Sequence, residues 1–151
     1  MAEAGTQRSG DTTLRLSRTF AASRERVFRA FTDPEELKHW FGPSDEYEVP
    51  VAEVDLRVGG RYRLDLRTPS GNLYRVAGVY REIRSPERLV YTWRWEVGDD
   101  VGETLVTLEF RSLGGSTEVS LTHERFPTPA ARDLHRGGWG GSLDRLSRRV
   151  G

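Results

Sequence analysis

Two hydrophobic periods succeed one another along this chain. Leu14, Leu16 and Phe20 give residues 13–20 the alternation of a strand with one buried face. The spacing then becomes helical: Ser23 is placed to cap a short helix whose Val27, Phe28, Ala30 and Phe31 recur on one side and which ends near Thr32. Asp33-Pro34-Glu35-Glu36 is a start signal for a second helix, with Asp33 as N-cap, proline in the first turn, acidic residues against the positive helix end and Glu36 at the capping-box position. That helix carries Leu37, His39, Trp40 and Phe41 and must stop at Gly42-Pro43, because proline has no N–H to continue the ladder.

From there the period falls to two. The alternation predicts strands over 47–58, 60–68, 73–84, 88–97, 103–110 and 117–125, separated by Gly59-Gly60, Pro69-Ser70-Gly71, Ser85-Pro86-Glu87, Gly98-Asp99-Asp100 and Gly114-Gly115. Parity assigns the faces. Tyr62, Leu64 and Leu66 oppose Arg61, Arg63, Asp65 and Arg67; Leu89, Tyr91, Trp93 and Trp95 oppose Thr92, Arg94 and Glu96. Val106, Leu108 and Phe110 extend the apolar face, as do Val119 and Leu121, with His123 as the polar member of that row.

Thr128-Pro129 repeats the cap-and-proline signal, and Leu134, Trp139, Leu143, Leu146 and Val150 then follow at helical spacing. Gly137, Gly138, Gly140 and Gly141 interrupt this helix, each costing about 0.8 to 1 kcal/mol relative to alanine. Either the helix breaks there or its backbone passes close to a neighbour or a ligand. A sheet with one apolar face needs a cover, and the C-terminal helix is the only element large enough to supply it. The expected class is α+β, an antiparallel sheet curled around the final helix, with two short helices after the first strand.

Composition narrows the function. A chain of 151 residues suits one domain, expected over 13–151 behind a polar tail at 1–12 that has no signal-peptide core. No apolar run approaches the roughly 18 residues that span a bilayer, and a cytoplasmic location is expected. Lys+Arg and Asp+Glu balance at 23 each, leaving no net field to draw nucleic acid or a membrane surface. Absent cysteine excludes disulfides, thiolate metal sites and cysteine nucleophiles.

Taken in order, residues 23–31, Asp33-Pro34, His39-Trp40-Phe41-Gly42-Pro43, Gly59-Gly60-Arg61-Tyr62, Gly78-Val79-Tyr80, the run from Pro86 to Trp93, His123, and Gly138-Trp139 with Leu143 and Leu146 resemble the Hsp90 ATPase activator homologue (AHSA1-like) family of the START-like, or SRPBCC, superfamily. The resemblance implies the helix-grip fold: a seven-stranded antiparallel sheet wrapped around the C-terminal helix with a cavity between them. In the eukaryotic co-chaperone a separate N-terminal domain makes much of the chaperone contact, and here only the short polar tail is expected in that place.

The inner aromatic set of Trp40, Tyr62, Tyr80, Trp93, Trp95 and Trp139, with His123 as its polar member, is the candidate ligand-binding site. The plain alternative is an ordinary core, with His123 paired to a backbone carbonyl. His39 and His135 are expected to face solvent. No histidine pair has metal-motif spacing, no G-x-S-x-G elbow occurs, and the glycine cluster lacks a phosphate-loop lysine, so neither metal, cofactor nor catalytic residue is expected. Glu48, Glu53 and Asp55 read as exposed carboxylates, and the arginines around Asp65 as a solvated face laced with ion pairs. The leading function is non-catalytic binding of a hydrophobic or aromatic small molecule by a monomer or homodimer. A polyketide cyclase-like enzyme, with His123 as acid-base group, and an Hsp90 partner are the other classes.

Overall fold

Three helices start at side-chain caps. In the computed structural model, which describes residues 11–97 and 102–151, helix α1 (Arg24–Thr32) begins where Ser23 Oγ accepts the Arg26 N–H at 3.2 Å. Helix α2 (Pro34–Trp40) begins where Asp33 Oδ1 accepts the Glu35 N–H at 2.9 Å, and α3 (Pro129–Val150) where Thr128 Oγ1 accepts the Ala131 N–H at 3.1 Å. Asp33 also closes α1, its own N–H donating to Arg29 O at 2.9 Å. That N–H is therefore unavailable for a capping box. Glu36 instead holds Arg26 and Arg149, each at 3.0 Å, tying α1 and α2 to the end of α3. The Arg149 hydrogen bond in particular keeps its carboxyl below the usual range.

Seven strands, β1 (Leu14–Phe20), β2 (Glu48–Val54), β3 (Arg61–Arg67), β4 (Leu73–Arg84), β5 (Arg88–Val97), β6 (Thr104–Ser112) and β7 (Thr117–Glu124), form one antiparallel sheet. β2 to β7 follow one another as a meander, and β1 returns to pair with β7, giving the order β1-β7-β6-β5-β4-β3-β2. The sheet curls around α3, while α1 and α2 close one end through edge contacts of Phe28 and Phe31 with Phe110, and of Phe31 with Trp40. No helix among the described residues is long and apolar enough to cross a membrane. The last residues of the expected tail, Asp11 and Thr12, contact the domain: the Arg132 guanidinium donates to Asp11 O and Phe126 N–H to Thr12 O. Residues 1–10 and the expected Gly98-Asp99-Asp100 turn lie outside the described residues.

Several boundaries and faces differ from the sequence reading. β2 stops at Val54 rather than 58, because the Arg57 N–H turns back to Asp55 O at 2.9 Å and the Gly60 N–H to Arg57 O at 2.8 Å, leaving Leu56 and Val58 exposed. β6 runs two residues further, to Ser112, where Arg111 and Ser112 still pair with Glu118 and Thr117. β7 ends at Glu124 because Arg125 adopts a φ of 74°. On the outer face Asp65 is only 2% exposed, since Arg63 and Arg75 close over it at 3.0 and 2.9 Å. The Arg63 hydrogen bond leads in holding that carboxyl below its usual range. Thr92 is also buried. Its hydroxyl accepts the Val79 N–H at 2.8 Å and its carbonyl accepts the Tyr62 hydroxyl at 2.6 Å. Tyr62 reaches it across Gly78, where a Cβ would sit 1.9 Å from Thr92 O.

Helix α3 runs unbroken through its glycines. Its buried stripe is Ala131, His135, Trp139, Ser142, Leu143 and Leu146. Leu134, expected on that stripe, is 67% exposed, because one residue turns the helix by about 100° and the neighbouring His135 takes the inward position. Gly141 meets the chain after α2 so closely that a Cβ would lie 2.0 Å from Pro43 O, whereas at Gly137, Gly138 and Gly140 it would touch nothing within 4 Å.

Candidate functional site

A cavity of about 280 Å³ lies between α3 and the inner face of β3, β4 and β5. Each wall follows from a local rule. Parity on β5 puts Trp93 and Trp95 on the same face, and a spacing of four on α3 stacks His135 beside Trp139. The proline-terminated end of α2 supplies Phe41, Gly42 and Pro43. This segment is clamped to α3: the Gly42 N–H donates to Ser142 Oγ at 3.1 Å, and Arg145 donates to Phe41 O, Gly42 O and His39 O at 3.1 to 3.2 Å. Gly138 faces the cavity and leaves space where a side chain would stand.

The four tryptophans differ in what their N–H groups meet. Trp40 donates to Ala30 O at 2.9 Å, Trp95 to His135 Nε2 at 3.0 Å and Trp139 to His123 Nδ1 at 3.0 Å. Trp93 Nε1 is the one buried side-chain polar atom without a hydrogen-bond partner among the described residues. These contacts settle both imidazole tautomers. His135 Nδ1 lies 2.8 Å from Ala131 O and so carries the proton, leaving Nε2 to accept from Trp95. His123 Nδ1 accepts from Trp139, so its Nε2 carries the proton toward Thr104 Oγ1 at 2.7 Å, and that hydroxyl donates to Trp93 O at 3.0 Å. Burial pushes both histidines below the usual imidazole range, with His135 adding to the effect on His123. Both are neutral near pH 7, and neither has a ring nitrogen left over for proton transfer.

Of the seven sequence candidates, Trp93, Trp95 and Trp139 line the main cavity. Trp40, Tyr62 and Tyr80 border a separate void of about 20 Å³, which Trp93 and Trp139 also touch. His123 lines neither. It is wholly buried, its ring 5.2 Å from that of Trp93 and 4.4 Å from that of Phe126. His135 is the correction: expected in solvent, it is 9% exposed and on the cavity wall. Its position four residues before Trp139 was the available signal. Phe41, Leu66, Tyr74 and Ser142 also line the cavity and were not singled out from the sequence. Glu53 and Asp55 are exposed, as is His39. Among the described residues no three metal-donor side chains come together.

An antiparallel sheet gripping a C-terminal helix, with an aromatic cavity between them, defines a helix-grip protein of the START-like class. The model of the "Activator of Hsp90 ATPase homolog 1-like protein" family matches residues 21–151, and the chain belongs to that family. Among solved structures it is similar to a protein from Chromobacterium violaceum, at 32% identity and a TM-score of 0.84 over 92% of this chain and 96% of that one. The AHSA1 protein from Silicibacter pomeroyi is similar at 26% identity, with a TM-score of 0.81 over 91% and 96% of the two chains. An HSP90 activator from Plasmodium falciparum matches at 30% identity, with a TM-score of 0.60 over 77% and 74%. No curated protein sequence gives a significant match.

Proposed function

We propose that this protein binds a small hydrophobic or aromatic molecule in the cavity between the sheet and α3, without catalysis by its own residues. The observation that carries the reading is an aromatic cavity of about 280 Å³ with Gly138 open toward it. That volume is at the lower end of ligand sites, which run from roughly 300 Å³ upward, and suits a compact ligand. The occupied ring nitrogens of His123 and His135 weigh against the cyclase-like alternative, which needs an available acid or base. Native mass spectrometry of the protein from its own host, followed by a denaturing run, should release a stoichiometric small molecule. Naphthalene serves as a defined probe. It should quench tryptophan fluorescence saturably, and Gly138→Leu, which fills the cavity from an unobstructed position, should weaken its binding at least tenfold. Equal affinity in the two proteins would place the bound probe elsewhere and sink the reading.

The likeness to the Plasmodium HSP90 activator supports a second reading, contact with an Hsp90 chaperone. Under it, the purified chain forms a complex with Hsp90 at micromolar concentration and raises its ATPase rate. Failure to form a complex at high micromolar concentration disposes of it.

A further inference from the structure

We propose that the inner void of about 20 Å³ is the binding site of one structural water molecule, held by the hydroxyls of Tyr62, Tyr80 and Tyr91. The inference goes beyond the cavity-binding reading and holds whether or not the main cavity takes a ligand. Parity turns the three tyrosines inward from β3, β4 and β5, and strand pairing sets Tyr80 directly opposite Tyr91. Tyr62 stands opposite Gly78, where a Cβ would lie 2.8 Å from Tyr62 Cε2, so the glycine lets this phenol lean across β4 toward β5. The three rings therefore meet, with centroids 5.2 to 6.0 Å apart, and all three line the void.

What the void can hold follows from its polar groups and its size. Its lining side chains carry three indole N–H groups and three phenol hydroxyls, and the rest are apolar. Trp40 and Trp139 donate to Ala30 O and His123, and the N–H of Trp93 is sealed too deeply to meet a guest. The phenols remain. Tyr62 donates to Thr92 O at 2.6 Å and keeps a lone pair with which to accept. Tyr80 and Tyr91 have no hydrogen-bond partner among the described residues, yet their hydroxyl oxygens, unlike Trp93 Nε1, are not sealed. With the two residues only 3% and 8% exposed, the void is the space these hydroxyls reach. Burial raises all three phenols above their usual range, and the nearby phenols add to the effect on Tyr62 and Tyr91, as hydroxyls gathered at one point would. All are neutral near pH 7. A buried water needs roughly 10 to 15 Å³ and two to four polar partners. This void meets both measures and is too small for an organic ligand. Phe41, Trp93 and Trp139 border both spaces, so the water sits behind the inner wall of the main cavity and fixes the phenols that back it.

A high-resolution crystal structure of the wild-type chain should show a single oxygen-sized peak in the void, within about 2.5 to 3.0 Å of the Tyr80 and Tyr91 hydroxyl oxygens. In solution at pH 7.5, the two hydroxyl protons should give nuclear Overhauser contacts to water, with the sign of a long-lived complex. Tyr91→Phe should lose both the peak and the Tyr80 contact. Tyr47→Phe, which alters a tyrosine of the main cavity instead, should leave both unchanged. The wild-type readouts stand even if Tyr91→Phe fails to fold. A wild-type void without density, density larger than one oxygen, or Tyr80 and Tyr91 hydroxyls turned toward bulk solvent would each overturn the proposal. A peak that persists in Tyr91→Phe would overturn its assignment to the phenols.

Discussion

His123→Leu is expected to lower the thermal midpoint by on the order of 10 °C. Leucine nearly fills the space but cannot accept the Trp139 N–H or donate to Thr104 Oγ1, and both contacts are buried. Each buried polar group left unsatisfied costs about 1 to 3 kcal/mol, so the sum is about 2 to 4 kcal/mol, with roughly 2 to 4 °C of midpoint per kcal/mol at this chain length. Thr104 keeps its bond to Trp93 O, so its share lies at the lower end. The same variant has a pH signature. Burial depresses both His123 and His135, so below about pH 6.5 the unfolded chain binds protons that the native chain refuses. Stability is therefore fully present above that pH and falls as pH drops toward the folded-state values, by up to about 1.4 kcal/mol per pH unit for each histidine. Carboxylates held low by arginine, such as Asp65 and Glu36, act with the same sign but only below about pH 4.5. Between pH 6.5 and 5 the slope belongs to the two histidines. His123→Leu should roughly halve it, as measured by denaturant unfolding at fixed pH. An unchanged slope would mean that His123 is protonated in the native protein and that its assigned bonds are wrong.

Much of this fold is readable because short-range rules decide it. Ser23, Asp33 and Thr128 cap helices wherever they are followed by a helical pattern, and strict parity places Tyr62, Leu64 and Leu66 inward without knowledge of their neighbours. Longer-range facts are the ones that escape. Asp65 has the parity of an outer residue, but Arg75 lies directly across from it on β4, and the two arginines bury it. β2 ends at Val54 through backbone bonds between residues whose side chains continue the alternation. His135 and Ser142 disguise the inner face of α3, because their polarity is satisfied by Ala131 O, Trp95 and the Gly42 N–H. For the site, sequence parity placed Trp93 and Trp95 on one face, and nothing in the sequence distinguishes the one indole that lacks a partner from the three that have one.

The glycine cluster of α3 resolves in the same way, and it sets up a contrast of sign. Gly137→Ala and Gly140→Ala each add a Cβ to open space, so the helix gains up to about 0.8 to 1 kcal/mol and the midpoint should rise by roughly 2 to 4 °C. Gly141→Ala places its Cβ 2.0 Å from Pro43 O and 2.8 Å from Pro43 Cα, contacts that no side-chain rotation relieves because both atoms are backbone. Overpacking of this kind typically costs about 1 to 3 kcal/mol, enough to outweigh the gain in helix propensity. The displacement falls on one particular contact. Gly141, Ser142 and Arg145 together hold the segment 41–43 against α3, and that segment is a wall of the cavity. Gly141→Ala should therefore lower the midpoint where its neighbours raise it, and should also weaken naphthalene binding, which Gly137→Ala leaves unchanged. A rise in midpoint for Gly141→Ala to match Gly137→Ala would show that the approach of Pro43 to α3 is loose, and that the cavity wall does not depend on it.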